Sequence, residues 1–185
     1  MAILKSVIFN SEYLKNYEEA QIDSERKWEV QAACKKILSN KEKYLAVEKK
    51  TKVPWDIIAC IHYRESSLNF KCILHNGERI IGTGEKTKLV PKNRGPFSCW
   101  EEAAVDALFE KKYLFPKKWT VETELAFVEA FNGLGYKKKK LLSPYVWAGT
   151  TKHTERGKYV MDGKFDPNAI EKQLGAVALL KQLRK

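Results

Sequence analysis

The chain has 185 residues, of which 44% are hydrophobic, and it carries a formal net charge of +11. This length is enough for one domain with a buried core, and this hydrophobic content excludes wholesale disorder. The positive charge indicates an anionic partner, for which nucleic acid, an anionic membrane surface and an acidic polysaccharide wall all qualify. Charge alone does not choose between them.

The four cysteines, Cys34, Cys60, Cys72 and Cys99, are widely spaced. They lack the paired spacing and the nearby histidines that are typical of zinc sites, so we expect free thiols and no metal or other cofactor. A disulfide between Cys72 and Cys99 stays open as an alternative.

The apolar opening segment, MAILKSVIFN, is too short to span a membrane and has no small-residue cleavage site of the kind that signal peptides carry. No later stretch is long enough to span a membrane either. We therefore expect synthesis in the cytosol without stable membrane insertion, and any export requires another agent.

Two helices are predicted in the N-terminal part, 1–52. Ser24 caps the first, which carries Trp28 on its apolar side and ends near Ser39. Ser39 and Glu42 then match the capping-box pattern, in which each side chain satisfies the backbone amide of the other. This pattern opens a second, shorter helix.

The central feature of the sequence is the stretch VPWDIIACIHYRESSLNF, which begins at Val53. Pro54 is expected at the first helical position, because proline there loses only an amide that has no partner within the helix. Ile58 and Ile61 recur at helical spacing, and Glu65 follows them on the same face. Glu65 is therefore expected to project from the buried side of a helix end.

A carboxyl group held against apolar side chains resists ionisation, so we expect a raised pKa for Glu65. A carboxylic acid that is still protonated near neutral pH is suited to general acid catalysis. The structural alternative is a solvated Glu65 that pairs with Arg64 or Lys71. His62 is expected to be structural.

The segment from Ser66 to Phe97 has no helical periodicity and is punctuated by glycine and proline. Asn76-Gly77 is a strong turn signal between two short apolar runs, 73–74 and 80–81, and predicts a small hairpin or a partly ordered lobe. Long loops inside compact domains are usually functional or mobile. We expect this lobe to form one wall of a cleft.

Three more helices are predicted in the second half of the chain. Ser98 and Glu101 match another capping box at the start of the first of them. The second runs from Thr120 to Phe131 and is closed by Asn132-Gly133. Asp166-Pro167 opens the last, which ends in cations that complement the helix dipole.

Six short motifs occur in a fixed order: HYRESS, LHNGE, PFSCWEEAAVDAL, AFNGLGY, SPYVWAGT and GKYVMDGKFDP. Together they resemble the lysozyme-like muramidases found among phage endolysins and bacterial lysozyme-family proteins, from about Trp55 to the C-terminus. The resemblance implies one domain, 1–185, with the family motifs in 53–185. It also implies a mainly α, lysozyme-like α+β fold in which a helical bundle surrounds a central helix that ends in Glu65.

By the same resemblance the activity is cleavage of the β-1,4 bond between N-acetylmuramic acid and N-acetylglucosamine in peptidoglycan, with Glu65 as the general acid. A second carboxylate commonly activates water or stabilises the charge on the sugar. Glu78 in the HNGE turn is the first candidate and Glu85 the second, whereas Asp56 is on the wrong part of the helix. Leu74 stands where the best-known phage lysozymes have an aspartate, so their way of activating water does not carry over directly. A merely solvated Glu78 is the alternative.

AFNGLGY resembles the segment that lines the sugar cleft in goose-type lysozymes and lytic transglycosylases. By that resemblance Asn132 grips an acetamido group and Tyr136 offers a ring face to a pyranose. Tyr145 and Trp147, in SPYVW, add aromatic surface of the kind that suits sugars. The structural alternatives are a helix cap for Asn132 and a core position for Trp147.

Two other functions stay open. A lytic transglycosylase needs only Glu65, because the 6-hydroxyl group of the substrate closes on its own sugar carbon. A non-catalytic basic module that binds cell wall or nucleic acid is supported by the charge alone. No helix-turn-helix, RNP-like or zinc pattern supports nucleic acid, and the run Lys137 to Lys140 is expected to be a solvated loop.

The expected partner is therefore the anionic peptidoglycan wall. We expect a monomer that reaches the wall after release through a separate membrane pore, as endolysins do.

Overall fold

The computed structural model describes residues 12–153, 156–161 and 163–185. This part of the chain is mainly helical, with one two-stranded antiparallel sheet, so the expected mainly α, α+β class is confirmed. The apolar opening segment, on which the expectation about a signal peptide depended, falls in 1–11 and lies outside the described residues. No described helix combines the length and the apolar composition that crossing a bilayer requires.

The described residues form nine α-helices, with one hairpin between the last two. The helices are α1 (Tyr13–Glu19), α2 (Lys27–Leu38), α3 (Lys41–Thr51), α4 (Trp55–Ser66), α5 (Trp100–Glu110), α6 (Val121–Asn132), α7 (Gly135–Lys138), α8 (Pro144–Trp147) and α9 (Ala176–Leu183). The strands are β1 (Arg156–Met161) and β2 (Lys164–Ile170), and 3-10 turns cover Ser24–Arg26 and Lys112–Leu114.

The chain divides into two compact units. One consists of Lys35–Tyr113, and the other combines the residues up to Cys34 with Leu114–Lys185. The boundaries lie within α2 and after Tyr113.

In the unit 35–113, α3 packs against both α4 and α5. Ile58 and Ile61 of α4 are fully buried, in agreement with their helical spacing. Pro54 is the N-cap of α4, so the helix begins one residue later than its proline suggested. The apolar face of α4 therefore lies in the core, and Glu65 lies in the last turn of this helix.

Two predicted capping boxes are replaced by other contacts. The Ser39 hydroxyl donates to a carbonyl of α2, and Asn40 takes the N-cap position of α3 without a side-chain bond. At α5 the partner of Ser98 is Glu102 and not Glu101. The Glu102 carboxylate accepts from the Ser98 amide at 3.0 Å and from its hydroxyl at 2.9 Å, whereas the N-cap of α5 is Cys99, which makes no side-chain cap bond.

The segment between α4 and α5, 67–99, is a lobe without strands. Isolated backbone bonds hold it, such as that from the Ile73 amide to the Glu78 carbonyl at 3.0 Å. Ile73 and Ile80 pack with Phe97 and with Ala103 of α5, and this cluster fixes the lobe to the helix. The expected lobe forms, but the residues around Asn76-Gly77 make a tight turn and not a paired hairpin.

In the other unit, α6 packs against α1, α8 and α9. Thr120 and Thr123 cap α6 reciprocally, and Gly133 ends it with φ +112°. Both ends agree with the prediction within one residue. Trp28, in contrast, was predicted to lie on a packing face and is 71% exposed.

The hairpin contradicts one prediction. Asp166-Pro167 does not open a helix: Pro167 lies in β2, which pairs with β1 through Tyr159 and Phe165. The last helix begins only at Ala176. Because both strands of a two-stranded sheet are edges, a proline is tolerated there without the loss of an interior ladder bond.

Candidate active site

Glu65 is half-buried in the last turn of α4. The helix ends at Ser66, and the next two residues, Ser67 and Leu68, both adopt left-handed backbone conformations, with φ of +52° and +61°. The Leu68 side chain is buried. The helix therefore ends abruptly one residue after Glu65.

The HNGE turn packs on this helix end. Gly77 has φ +77°, and a Cβ atom at this position would lie 3.1 Å from the backbone carbonyl oxygen of Glu65. Glycine suits both requirements, because it accepts the left-handed conformation and brings no side chain into the contact. The structure thus brings the turn that carries Glu78 against the end of the helix that carries Glu65.

The Glu78 carboxylate binds the loop that follows it. Its Oε1 accepts a hydrogen bond from the Lys88 amide at 2.8 Å. Its Oε2 accepts from the Leu89 amide at 3.2 Å and from Asn76 Nδ2 at 2.7 Å. Desolvation opposes the charge, but these hydrogen bonds together hold the pKa of Glu78 below its usual range. A carboxylate that is ionised and engaged at both oxygens is a weak base, and these contacts favour a role in fastening the loop.

The other two carboxylates also have local partners. Glu85 is exposed and pairs with Lys88 Nζ at 3.2 Å. Asp56 is buried in the first turn of α4, at the opposite end from Glu65, and accepts from the Ile57 amide at 2.9 Å. Asp56 is therefore outside the candidate site, as its position in the sequence indicated.

His62, three residues before Glu65, is fully buried among the rings of Tyr44, Phe70 and Trp100. Its Nδ1 lies 3.0 Å from the Tyr44 hydroxyl oxygen. Burial lowers the pKa of His62 to about 4, so the ring is neutral at neutral pH. His62 braces the last turn of α4 without placing a charge there.

A second histidine anchors the HNGE turn to α5, and sequence reasoning missed its partners. His75 Nε2 lies 2.9 Å from Asp106 Oδ2, and the ring stacks on that of Phe97 with 5.7 Å between centroids. Asp106 also accepts two hydrogen bonds from the Arg94 guanidinium. Burial lowers the pKa of His75. Because the partners of Asp106 are 12 and 31 residues away in the chain, no local pattern shows this cluster.

In the other unit, the AFNGLGY segment offers an exposed amide but a buried ring. Asn132 is exposed at the last position of α6. Tyr136 is only 6% exposed, and its hydroxyl accepts from the Tyr159 amide at 2.9 Å. The two rings meet edge to face, with 5.0 Å between centroids. Tyr136 thus holds β1 and presents no open ring face to a sugar.

Tyr145 and Trp147 lie in α8 and are also buried, with 3% and 0% of their surface exposed. Within the described residues, the indole nitrogen of Trp147 has no hydrogen-bond partner. Their burial favours core packing over sugar binding. Of the four predicted sugar contacts, only Asn132 is open to solvent.

Sequence reasoning also missed a buried carboxylate in α6. Glu129 is 5% exposed and accepts a hydrogen bond from the Tyr13 hydroxyl, which joins α1 to α6. Burial raises the pKa of Glu129. The helical pattern of α6 places Glu129 near the core but carries no signal for a partner 116 residues away.

All four cysteines are free thiols, so no bridge joins Cys72 to Cys99. Within 12–153, 156–161 and 163–185, no three His, Cys, Asp or Glu side chains are placed to hold a metal ion. Comparisons of the chain with protein-family models, with curated proteins and with solved structures found no match.

Proposed function

We propose that the chain is a peptidoglycan-cleaving glycosidase in which Glu65 is the general acid. The observation that carries this proposal is the placement of Glu65, half-buried at the abrupt end of an apolar helix with the HNGE turn packed on its carbonyl. A carboxyl group there lies at the negative end of the helix dipole, which favours its neutral, proton-donating form. The resemblance of the motifs to lysozyme-like muramidases supports the substrate, and the charge of +11 suits an anionic wall.

In the proposed reaction Glu65 gives its proton to the oxygen that joins C1 of N-acetylmuramic acid to N-acetylglucosamine. The bond from C1 to this oxygen breaks, the electron pair stays with the leaving oxygen, and positive charge develops on the muramic acid ring. Water then adds to C1 and returns a proton to Glu65. The product is a reducing muramic acid end. Asn132 is the proposed contact for an acetamido group.

The contacts of Glu78 favour a second candidate, a lytic transglycosylase. Both carboxylate oxygens of Glu78 are engaged by the loop, so this group is poorly placed to activate water. In transglycosylation the 6-hydroxyl group of the muramic acid attacks C1 and its proton passes to Glu65. No water enters, and the product is a 1,6-anhydro end.

The test is mass spectrometry of the soluble fragments that the parent, Glu65→Gln and Glu42→Gln release from purified peptidoglycan. Glu42 is exposed in the first turn of α3, so its replacement removes the same charge from a different helix. We expect Glu65→Gln to lower fragment release by about 100-fold or more, which is the usual contribution of a general acid. Glu42→Gln should release as much as the parent.

Undiminished release by Glu65→Gln contradicts the proposal. Wall binding by the parent without any fragments contradicts it too, and makes the chain a non-catalytic binding module. The fragment ends separate the two reactions, since reducing ends identify hydrolysis and anhydro ends identify transglycosylation. Glu78→Gln should lower hydrolysis if Glu78 activates water and should spare transglycosylation, because glutamine keeps a carbonyl oxygen for a loop amide.

A further inference from the structure

A cavity of about 220 Å³ lies beside the loop that follows α7. The segment 140–142 lines one side, and a hydrogen bond from the Leu141 amide to the Tyr136 carbonyl, at 3.0 Å, ties this segment to α7. The segment 152–153 and the first two residues of β1 also line it. All of these residues belong to one compact unit, whereas Glu65 belongs to the other.

Three of the described residues that line this cavity have cationic side chains, namely Lys140, Lys152 and Arg156. Lys152 is neutralised by Glu19, whose carboxylate lies 2.5 Å from its Nζ. The side chains of Lys140 and Arg156 have no hydrogen-bond or ion-pair partner in the described part of the chain. Two cations at one cavity repel each other, and an anion bound between them relieves that repulsion.

The cavity also has an apolar side. Leu141 and Leu142 line it and are 44% and 39% exposed, so they offer an apolar surface to a ligand. Gly157 has φ +86°, and a Cβ atom there would lie 3.1 Å from the ring of Phe165, so the wall at this position is bare backbone. A ligand that fits this lining carries an anionic group and an apolar group next to each other.

We propose that this cavity binds a small oxyanion, a carboxylate or a phosphate, that adjoins an alkyl group. The Arg156 guanidinium has the planar fork that pairs with two oxygens of such a group, and Lys140 adds a second charge. Leu141 and Leu142 contact the alkyl part.

The assignment of this oxyanion to a natural source rests on the proposed function. A bacterial wall carries carboxylates at the alanine ends of its peptide stems and phosphates in its accessory polymers. Both have alkyl groups next to the charge. Binding of the oxyanion does not depend on cleavage. An experiment that finds no catalysis by Glu65 is therefore distinguishable from one that finds no binding at this cavity.

The test is a titration of the full chain, followed by amide NMR, with inorganic phosphate and separately with N-acetyl-D-alanyl-D-alanine. We expect saturable shifts of the Leu141 and Gly157 amides with at least one probe, at roughly millimolar affinity. The double variant Lys140→Gln/Arg156→Gln should bind about tenfold more weakly, since it loses both charge-assisted contacts. Tighter binding of the dipeptide assigns the site to peptide stems, and tighter binding of phosphate assigns it to accessory polymers.

The matched control is Lys138→Gln/Lys164→Gln, which removes the same charge from two exposed lysines that do not line the cavity. It should keep the parent affinity. Arg156→Lys keeps the charge and loses the fork, so it should bind more weakly than the parent while its spectrum stays that of a folded protein. The proposal would be overturned if the control and the double site variant lost affinity equally. It would also be overturned if neither probe shifted the Leu141 and Gly157 amides.

Discussion

The imidazole of His62 has a lowered pKa in the folded protein, because it is buried, and an ordinary pKa in the unfolded chain. Below pH 6.5 the unfolded chain takes up a proton here, whereas the folded chain does so only near pH 4. The folded pKa is depressed, so the stability that His62 contributes is present above pH 6.5 and is lost as the pH falls to 4. A shift of this size corresponds to roughly 3 kcal/mol of unfolding free energy.

Urea unfolding at a series of pH values measures this loss. His62→Gln does not titrate and can still bond to the Tyr44 hydroxyl, so its unfolding free energy should depend less steeply on pH between 6.5 and 4 than that of the parent. His75, whose pKa is also lowered by burial, acts in the same direction in both proteins and cancels in the comparison. Parallel profiles for the parent and His62→Gln would contradict the expected role of His62.

At the level of single residues, the sequence predicts where a residue lies in an element better than it predicts which residues its side chain contacts. The spacing of Ile58 and Ile61 alone was enough to place Glu65 on the apolar face of a helix. The engagement of Glu78 by the Lys88 amide could not be foreseen, because it depends on the path of a loop that has no periodicity. The burial of Tyr136 was not apparent for a different reason, because the strand that contacts it, β1, was not predicted.

The HNGE turn, which packs on the end of α4, allows a prediction about how its position affects Glu65. Gly77→Ala and Gly82→Ala place the same side chain at nearly the same left-handed φ, +77° and +74°. Each should lower the free energy of unfolding by about 1–2 kcal/mol, the usual cost of this conformation for an L-residue. Only Gly77→Ala puts a methyl group 3.1 Å from the Glu65 carbonyl, because nothing lies within 4 Å of the corresponding position at Gly82.

We therefore expect the two variants to be similar in stability but different in activity. On the proposed role of Glu65 as the general acid, fragment release from peptidoglycan should fall by roughly tenfold to 100-fold in Gly77→Ala, since small displacements of a catalytic group are costly. It should change little in Gly82→Ala. Equal activities at equal stability would show that the position of the turn does not matter to Glu65.

The elements that were predicted correctly have strong local signals. α4 and α6 combine clear periodicity with a marked end, at Pro54 in one case and at Asn132-Gly133 in the other. The hairpin was missed because Asp166-Pro167 imitates a helix start, although Asp162-Gly163 is a dipeptide typical of two-residue hairpin loops.

For the whole molecule, the net charge of +11 predicts how activity depends on salt. Attraction to an anionic wall is screened as the Debye length falls from about 30 Å at 0.01 M salt to about 10 Å at 0.1 M. We expect lysis of whole cells to fall steeply over this range, while cleavage of small neutral chito-oligosaccharides barely changes. The two rates are measured in the same buffers, and equal sensitivity to salt would show that the charge does not act through the wall.

The contact between α7 and the hairpin also limits how this sequence can diverge. A Cβ atom at Gly135 would lie 3.0 Å from the ring of Tyr159, whose amide in turn bonds to the Tyr136 hydroxyl. A side chain at position 135 therefore requires the Tyr159 ring to shift by a few tenths of an ångström or to be replaced by a smaller side chain. We therefore expect the two positions to covary: in a library randomised at both, folded proteins with a side chain at position 135 should carry a residue smaller than tyrosine at position 159 more often than chance.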